Sequence, residues 1–343
     1  MRQSDFALRC NSDNLRQNSG ETRVLGAVLA LVCAGTFAWS NAAVRRGVIS
    51  GSAVQATAIS IPAGVPMFLI ALLLFGRPAI FAELPTASTL VFAATGLSHF
   101  IVGRYANYRA LGAIGTNLAG PVLQFNLVVS LVLAIVFLGE TLTVLRILGI
   151  VLIFIGPLVV SRDQARPAPR PVQPGFTPRM AEGYIFAVLA SLCYGASPVL
   201  LRFAAHGMGL SAGLAGGVIG ATTALVAVPV ILSAGGQWRQ MRSLSPQAAK
   251  WFLFSAVMVY VSQIFYYMAI SLAPVTIVAP IAALSNVIRI YFSRWLNPQH
   301  EVFDRQVLIA TALSFAGVIV LSASVDSLPL PQGWLAFFAW HWP

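Results

Sequence analysis

The chain has 343 residues, of which 58% are apolar and only 9% charged, against about 25% charged residues in soluble domains. With a mean hydropathy of +0.81 it cannot cover a water-facing surface, and its long uncharged runs must face lipid. Its net charge of +11 comes from basic residues spread between those runs. That pattern fits anionic lipid headgroups and excludes the concentrated basic surface that nucleic acid requires.

Residues 1–23 are polar and lack an apolar signal core, so they read as a disordered tail rather than a cleaved leader. A helix needs about 20 apolar residues to cross a bilayer. The next stretch, 24–161, supplies five such runs: 24–43, 53–75, 88–108, 113–138 and 143–161. Residues 162–182, RDQARPAPRPVQPGFTPRMAE, hold five prolines and four arginines and read as an extended spacer. Five more runs follow within 183–324, at 184–203, 211–234, 251–271, 275–295 and 306–324. The last segment, 325–343, ends in WLAFFAWHWP, too short to span and rich in aromatics that favour the headgroup level. None of these runs alternates as barrel strands do. The expected fold is an all-α polytopic membrane protein of ten transmembrane helices.

The two sets of five are related. A shift of 157 residues lays Gly26 on Gly183, Ser40 on Ser197 and Arg45 on Arg202. A shift of 159 lays Tyr108 on Tyr267, Ala110 on Ala269 and Pro121 on Pro280, and one of 161 lays Glu140 on Glu301 and Gly156 on Gly317. Matches in this order, with offsets that barely drift, point to duplication. Five is an odd number, so the second copy enters the membrane from the opposite side. The expected arrangement is two inverted five-helix repeats, which suit alternating access.

With ten runs in two sets, Gly139-Glu140 after the fourth helix, Pro121 and Pro280 early in helices four and nine, and eleven residues from Ala110 to Pro121, the chain resembles the EamA family. This is the ten-helix branch of the drug/metabolite transporter superfamily. The resemblance spans about residues 24–324 and implies two inverted bundles around a central cavity lined by helices one, three, four, six, eight and nine. It also implies export or uptake of a metabolite. The second half departs from the pattern, since Glu301 follows NPQH and helix nine carries Arg289 and Arg294.

Polar groups inside a membrane usually face a bundle interior or a water-filled cavity. In helix four, Asn117, Pro121 and Gln124 share one face, either as a substrate surface or as bonds between helices. Pro121 and Pro280, with Glu140 and Glu301, read as structural or hinge positions. Helix three offers His99 and Asn107 with Arg104 beside them, and helix eight answers with Tyr260, Gln263 and Tyr267. Arg104 either faces the cavity or snorkels to the interface, and His99 is either a packed histidine or a proton relay. Trp39 and Asn41 in helix one, Tyr194 and Ser197 in helix six, and Ser285 and Arg289 in helix nine complete the candidate lining. Trp39 also suits an interfacial anchor. In helix seven, overlapping GxxxG pairs at Gly213, Gly216, Gly217 and Gly220 form a close-packing face, internal or at a dimer contact.

No Asp or Glu lies within any of the ten runs, so a cationic substrate has no counter-charge there. The expected substrate is a small neutral, zwitterionic or anionic metabolite, amino acid-like compounds first, or alternatively a lipid-linked molecule. Gly209-Leu-Ser211-Ala-Gly213 matches GxSxG, which offers a weaker hydrolase alternative at Ser211. Cys10, Cys33 and Cys193 form no metal or disulfide pattern, and Walker A, GxGxxG and HExxH motifs are absent, so no cofactor and no metal are expected. The partners expected are the metabolite and membrane lipids, with the chain as a monomer or a homodimer. Even-numbered spans put both termini on one side of a bacterial inner membrane. The resemblance implies the cytoplasmic side, whereas the distribution of arginines in the loops favours the opposite one.

Overall fold

In a computed structural model of the chain, the described residues are 2–164, 179–205, 207–234 and 237–296, with a few positions from 309 to 320 and 340–342. They are almost wholly helical. The first half contains α1 (Arg2–Gly47), α2 (Ala53–Ser60), α3 (Gly64–Phe75), α4 (Ile80–Glu83), α5 (Thr86–Gly96), α6 (Arg104–Leu123), α7 (Phe125–Leu138) and α8 (Val144–Gln164). The second contains α9 (Met180–Ala204), α10 (Gly209–Ala234), α11 (Trp238–Arg242), α12 (Pro246–Leu272), α13 (Val275–Ala283) and α14 (Ser285–Leu296). Among the described residues six helices are long and apolar enough to cross a membrane, and Phe125–Leu138, Val144–Ile153 and Val275–Arg289 are shorter apolar helices. Of the expected spacer at 162–182, the ends belong to α8 and α9, while its middle, 165–178, most of the expected tenth helix and most of the C-terminal tail lie outside the described residues.

Local chemistry sets several of these boundaries. The second span opens on a capping box in which Ser52 and Gln55 satisfy each other's backbone N–H groups, and Pro62 marks a 3-10 turn at Ile61–Ala63 between α2 and α3. Gly139 ends α7 in the left-handed region, φ 63°, where only glycine is unstrained. Beyond it, Leu142–Thr143 (β1) pairs antiparallel with His341–Trp342 (β2), tying the described end of the C-terminal tail to the start of α8.

Three expectations need correction. Residues 2–23 continue α1 instead of forming a disordered tail; they hold no proline, and an existing helix gains one backbone bond for each residue added. α6 is helical through 109–112, yet the chain reverses there: His99 meets Ser197 and Arg109 meets Glu182 on the way down α9, and Ile114 lies against Gly183 and Val122 against Ser191 on the way back. The run at 113–138 is not one unbroken helix, because it breaks at Gln124, between α6 and α7. A second break, at Leu284 between α13 and α14, divides what the sequence presents as one run at 275–295. Each break lies about one turn beyond Pro121 or Pro280.

The halves pack reciprocally. α1 lies along α12 and meets α13 and α14, while α9 lies along α5 and α6 and meets α7. Duplicated residues make matching contacts. A Cβ on Gly26 would sit 2.6 Å from the Cβ of Ala273, and one on Gly183 would sit 2.3 Å from Cγ2 of Ile114. Arg45 Nη1 donates to the Leu111 carbonyl at 3.2 Å, and Arg202 Nη1 donates to the Ile270 carbonyl. The offsets of these pairs, 157 and 159 residues, are those of the sequence repeat.

The helix-seven glycines are used inside the chain. A Cβ on Gly216 would strike Phe92 at 2.5 Å, one on Gly217 would strike Phe68 at 2.3 Å, and one on Gly96 would lie 2.3 Å from the Gly220 Cα. Close helix approach of this kind replaces the hydrophobic drive that lipid removes. Gly96→Ala is therefore expected to lower stability by about 1–3 kcal/mol, read as a lower melting temperature in detergent. Gly35→Ala, where a Cβ meets nothing within 4 Å, is the control expected to melt with the wild type.

Candidate functional site

A cavity of about 80 Å³ lies between the halves, walled by α1, His99, both ends of α6, α7, α9, α12, α13 and α14. Seven of the residues picked out from sequence line it: Asn41, His99, Asn107, Tyr194, Gln263, Ser285 and Arg289. Asn107 Nδ2 donates to Asn41 Oδ1 at 3.2 Å, joining α6 to α1 across the wall. His99 Nδ1 lies 2.9 Å from Ser197 Oγ, and that hydroxyl donates to the Cys193 carbonyl at 2.6 Å. Gln263 is 5% exposed, and its Oε1 has no hydrogen-bond partner among the described residues.

Helix three reaches this site through a π-helical segment, Leu97–Gly103. The wider turn carries an extra residue, a feature frequent at functional sites. It coincides with a tight crossing, since a Cβ on Gly103 would meet Tyr194 and Cys193 at 3.0 Å. The segment sets His99 against the Tyr194 ring, with centroids 4.8 Å apart.

Other candidates lie elsewhere. Arg104 neither lines the cavity nor snorkels: it is 1% exposed, its Cζ sits 4.6 Å from the Tyr260 ring and 5.2 Å from that of Phe100, and Nη1 donates to Ser60 Oγ at 3.3 Å. Tyr260 and Tyr267 belong to this aromatic cluster around Phe68 rather than to the cavity. The wet face of α12 runs through Ser262, Gln263 and Tyr266, about one residue, or ~100°, away from the expected face. Trp39 stacks on Phe292 at 5.3 Å, Ser197 stands behind His99, and Gln124 is buried at the α6–α7 break. The side chains of Asn117 and Pro121, and Glu301, lie outside the described residues. Sequence reasoning missed Cys33, Phe37 and Ser130 in the lining. Their signal was the four-residue spacing from Asn41 in helix one and within helix four.

The family model of EamA-like transporters matches residues 24–162 and again 181–323, which are the two halves just described. The chain belongs to the EamA-like transporter family. Eighteen solved chains share significant similarity with it. One, described only as the crystal structure of a protein, is 17% identical with a TM-score of 0.63, over 90% of this chain and 99% of its own; at that identity the likeness shows the fold alone. No functionally curated protein matches significantly.

In this EamA-like transporter the Gly139-Glu140 motif has a clear structural task. Glu140 Oε1 accepts from the Val275 N–H at 2.9 Å and Oε2 from the Thr276 N–H at 2.8 Å. A carboxylate there satisfies two of the orphan donors that open α13 and complements the helix dipole. Beside it, Arg202 Nη1 also holds the Ala273 carbonyl at 3.2 Å, closing the end of α12. Glu140→Ala is expected to destabilise the fold by about 1–3 kcal/mol, measured by denaturant unfolding in detergent. Glu140→Gln, which keeps one carbonyl acceptor, should fall between the two, and an unchanged Glu140→Ala would show that the cap contributes nothing.

Proposed function

We propose that the chain is a secondary carrier of ten helices, built as two inverted five-helix repeats, that moves a small neutral, zwitterionic or anionic metabolite by alternating access. The observation that carries this reading is the chemistry of the cavity wall. Arg289, Asn41, Asn107, Asn126 and Gln263 face a space to which no described residue contributes a carboxylate. A cation entering it would find no counter-charge, whereas a carboxylate or a neutral polar group finds donors. Phe37, Tyr194 and Tyr266 add apolar faces for the rest of the molecule, and an amino acid-like compound combines both needs.

The matching contacts Gly26–Ala273 with Gly183–Ile114, and Arg45–Leu111 with Arg202–Ile270, support the two-fold relation, because equivalent residues meet equivalent neighbours in the other half. At about 80 Å³ the cavity is small beside ligand pockets of roughly 300–1,000 Å³, so a substrate enters only when the two halves rock apart. The chain acts as a monomer, since its glycine face is taken up internally, and sits in a bacterial inner membrane with both termini cytoplasmic. A lipid-linked substrate is the second reading. The hydrolase alternative loses support: Ser211 Oγ accepts from the Arg77 N–H at 3.1 Å, and His99 is directed to Ser197 instead.

Uptake into proteoliposomes tests the reading. Among labelled amino acids, organic anions and quaternary ammonium compounds, one of the first two classes is expected to be moved. Arg289→Gln should lower that flux by about tenfold or more, the effect of one charge-assisted contact. Tight competition by a quaternary ammonium cation would contradict the proposed substrate class.

A further inference from the structure

A second cleft, about 310 Å³ and almost entirely apolar, lies apart from the central cavity between α2, the π-helical segment with α6, α9 and α10. Its walls include Ala58, Tyr105, Phe186 and Val228. Three other lining residues, Val102, Leu189 and Ile231, are exposed on the outside of the bundle, so the cleft opens sideways towards lipid rather than towards either aqueous phase. It runs along the helices from the level of Ile101 to that of Tyr105, and Arg109 stands one further turn, about 6 Å, beyond.

The polar rim is basic. Arg109 and Arg179 both pair with the single carboxylate of Glu182, so the trio keeps a net positive charge. Arg109 also lies over the Phe186 ring that forms the cleft wall, 5.8 Å from its centroid. On the other side of the opening, Gln237 lines the cleft and leads into α11, which carries Arg239 and Arg242, both exposed. α11 is fixed over the start of α2, where Ser52 Oγ donates to Gln240 Oε1 at 3.3 Å. An apolar slot open to the bilayer core and crowned by arginines that outnumber the one carboxylate paired with them matches one kind of molecule, with a hydrocarbon chain at one end and an anionic phosphate at the other.

We infer that this cleft is a binding site for an anionic phospholipid, with an acyl chain in the slot and the headgroup phosphate against Arg179, Arg239 and Arg242. The bound chain fills the junction between helices two, three, six and seven, all of which would shift if the halves rock, so lipid occupancy couples the annulus to the transport cycle. This last consequence rests on the alternating-access reading; the binding itself does not.

The full-length protein in detergent, titrated with phosphatidylglycerol or with phosphatidylcholine of the same chains, tests the site by native mass spectrometry and thermal shift. Phosphatidylglycerol is expected to bind and stabilise more strongly, and replacing Arg179 or Arg239 by Gln should weaken it by about fivefold each, the attraction of one basic residue to an anionic lipid. Val228→Trp should abolish retention of the lipid. Ala58→Phe fills the slot from the opposite wall and serves if the first variant is unstable. Equal binding of the two lipids, unchanged binding in the filled variants, or the same stabilisation by glycerol phosphate alone would each overturn the site. Failure of transport with lipid binding intact would overturn only the carrier reading.

Discussion

In hydrocarbon, a backbone N–H or carbonyl left without a partner costs several kcal/mol, and this constraint organises the molecule. At several helix ends, and at points along the helices, a side chain from another helix meets the backbone. Glu140 holds the first donors of α13. Arg202 holds the last carbonyls of α12, and Arg45 holds the Leu111 carbonyl in α6. Ser262 Oγ reaches the Cys33 carbonyl at 3.0 Å and Ser130 Oγ that of Gly195 at 2.9 Å. Charged residues are few, and Glu140, Arg45 and Arg202 among them are spent on backbone groups.

Close packing follows from the same solvent. Glycine allows α5 and α10 to cross almost backbone to backbone at Gly96 and Gly220, and the aromatic rings of Phe68, Phe100, Tyr260 and Tyr267 fill the space beside that crossing. Arg104 is buried in this cluster with Nη2 lacking a hydrogen-bond partner among the described residues. Ring faces supply part of what a carboxylate would otherwise give. The central cavity lies on the other side of α12, so the same helix separates a dry cationic cluster from a polar chamber.

Much of this was legible in the sequence. Hydropathy located the runs, and the duplicated Gly26/Gly183 and Arg45/Arg202 marked positions that make the same contact in each half. Patterns of spacing cannot see what depends on helix rotation. The cavity face of α12 lies one residue from the expected one, because Gln263 sits at the edge of both candidate faces and only packing decides between them. The π-helical segment before Arg104 left no compositional trace, and it breaks the α-helical register on which the reading of helix three depended. Nor could the sequence place the breaks at Gln124 and Leu284, since a proline announces a disturbance but not where neighbouring helices let the chain bend.

Cys33 offers the most direct test of a carrier with a cavity reached in turn from each side. It is a native thiol in the cavity wall, 5% exposed, and labelling it with a membrane-impermeant methanethiosulfonate in a Cys10→Ser, Cys193→Ser background reads access to that wall. The account predicts slow labelling when the reagent is added to either face of the membrane, with substrate changing the two rates in opposite directions. Labelling from one face only, whatever the substrate, would contradict it.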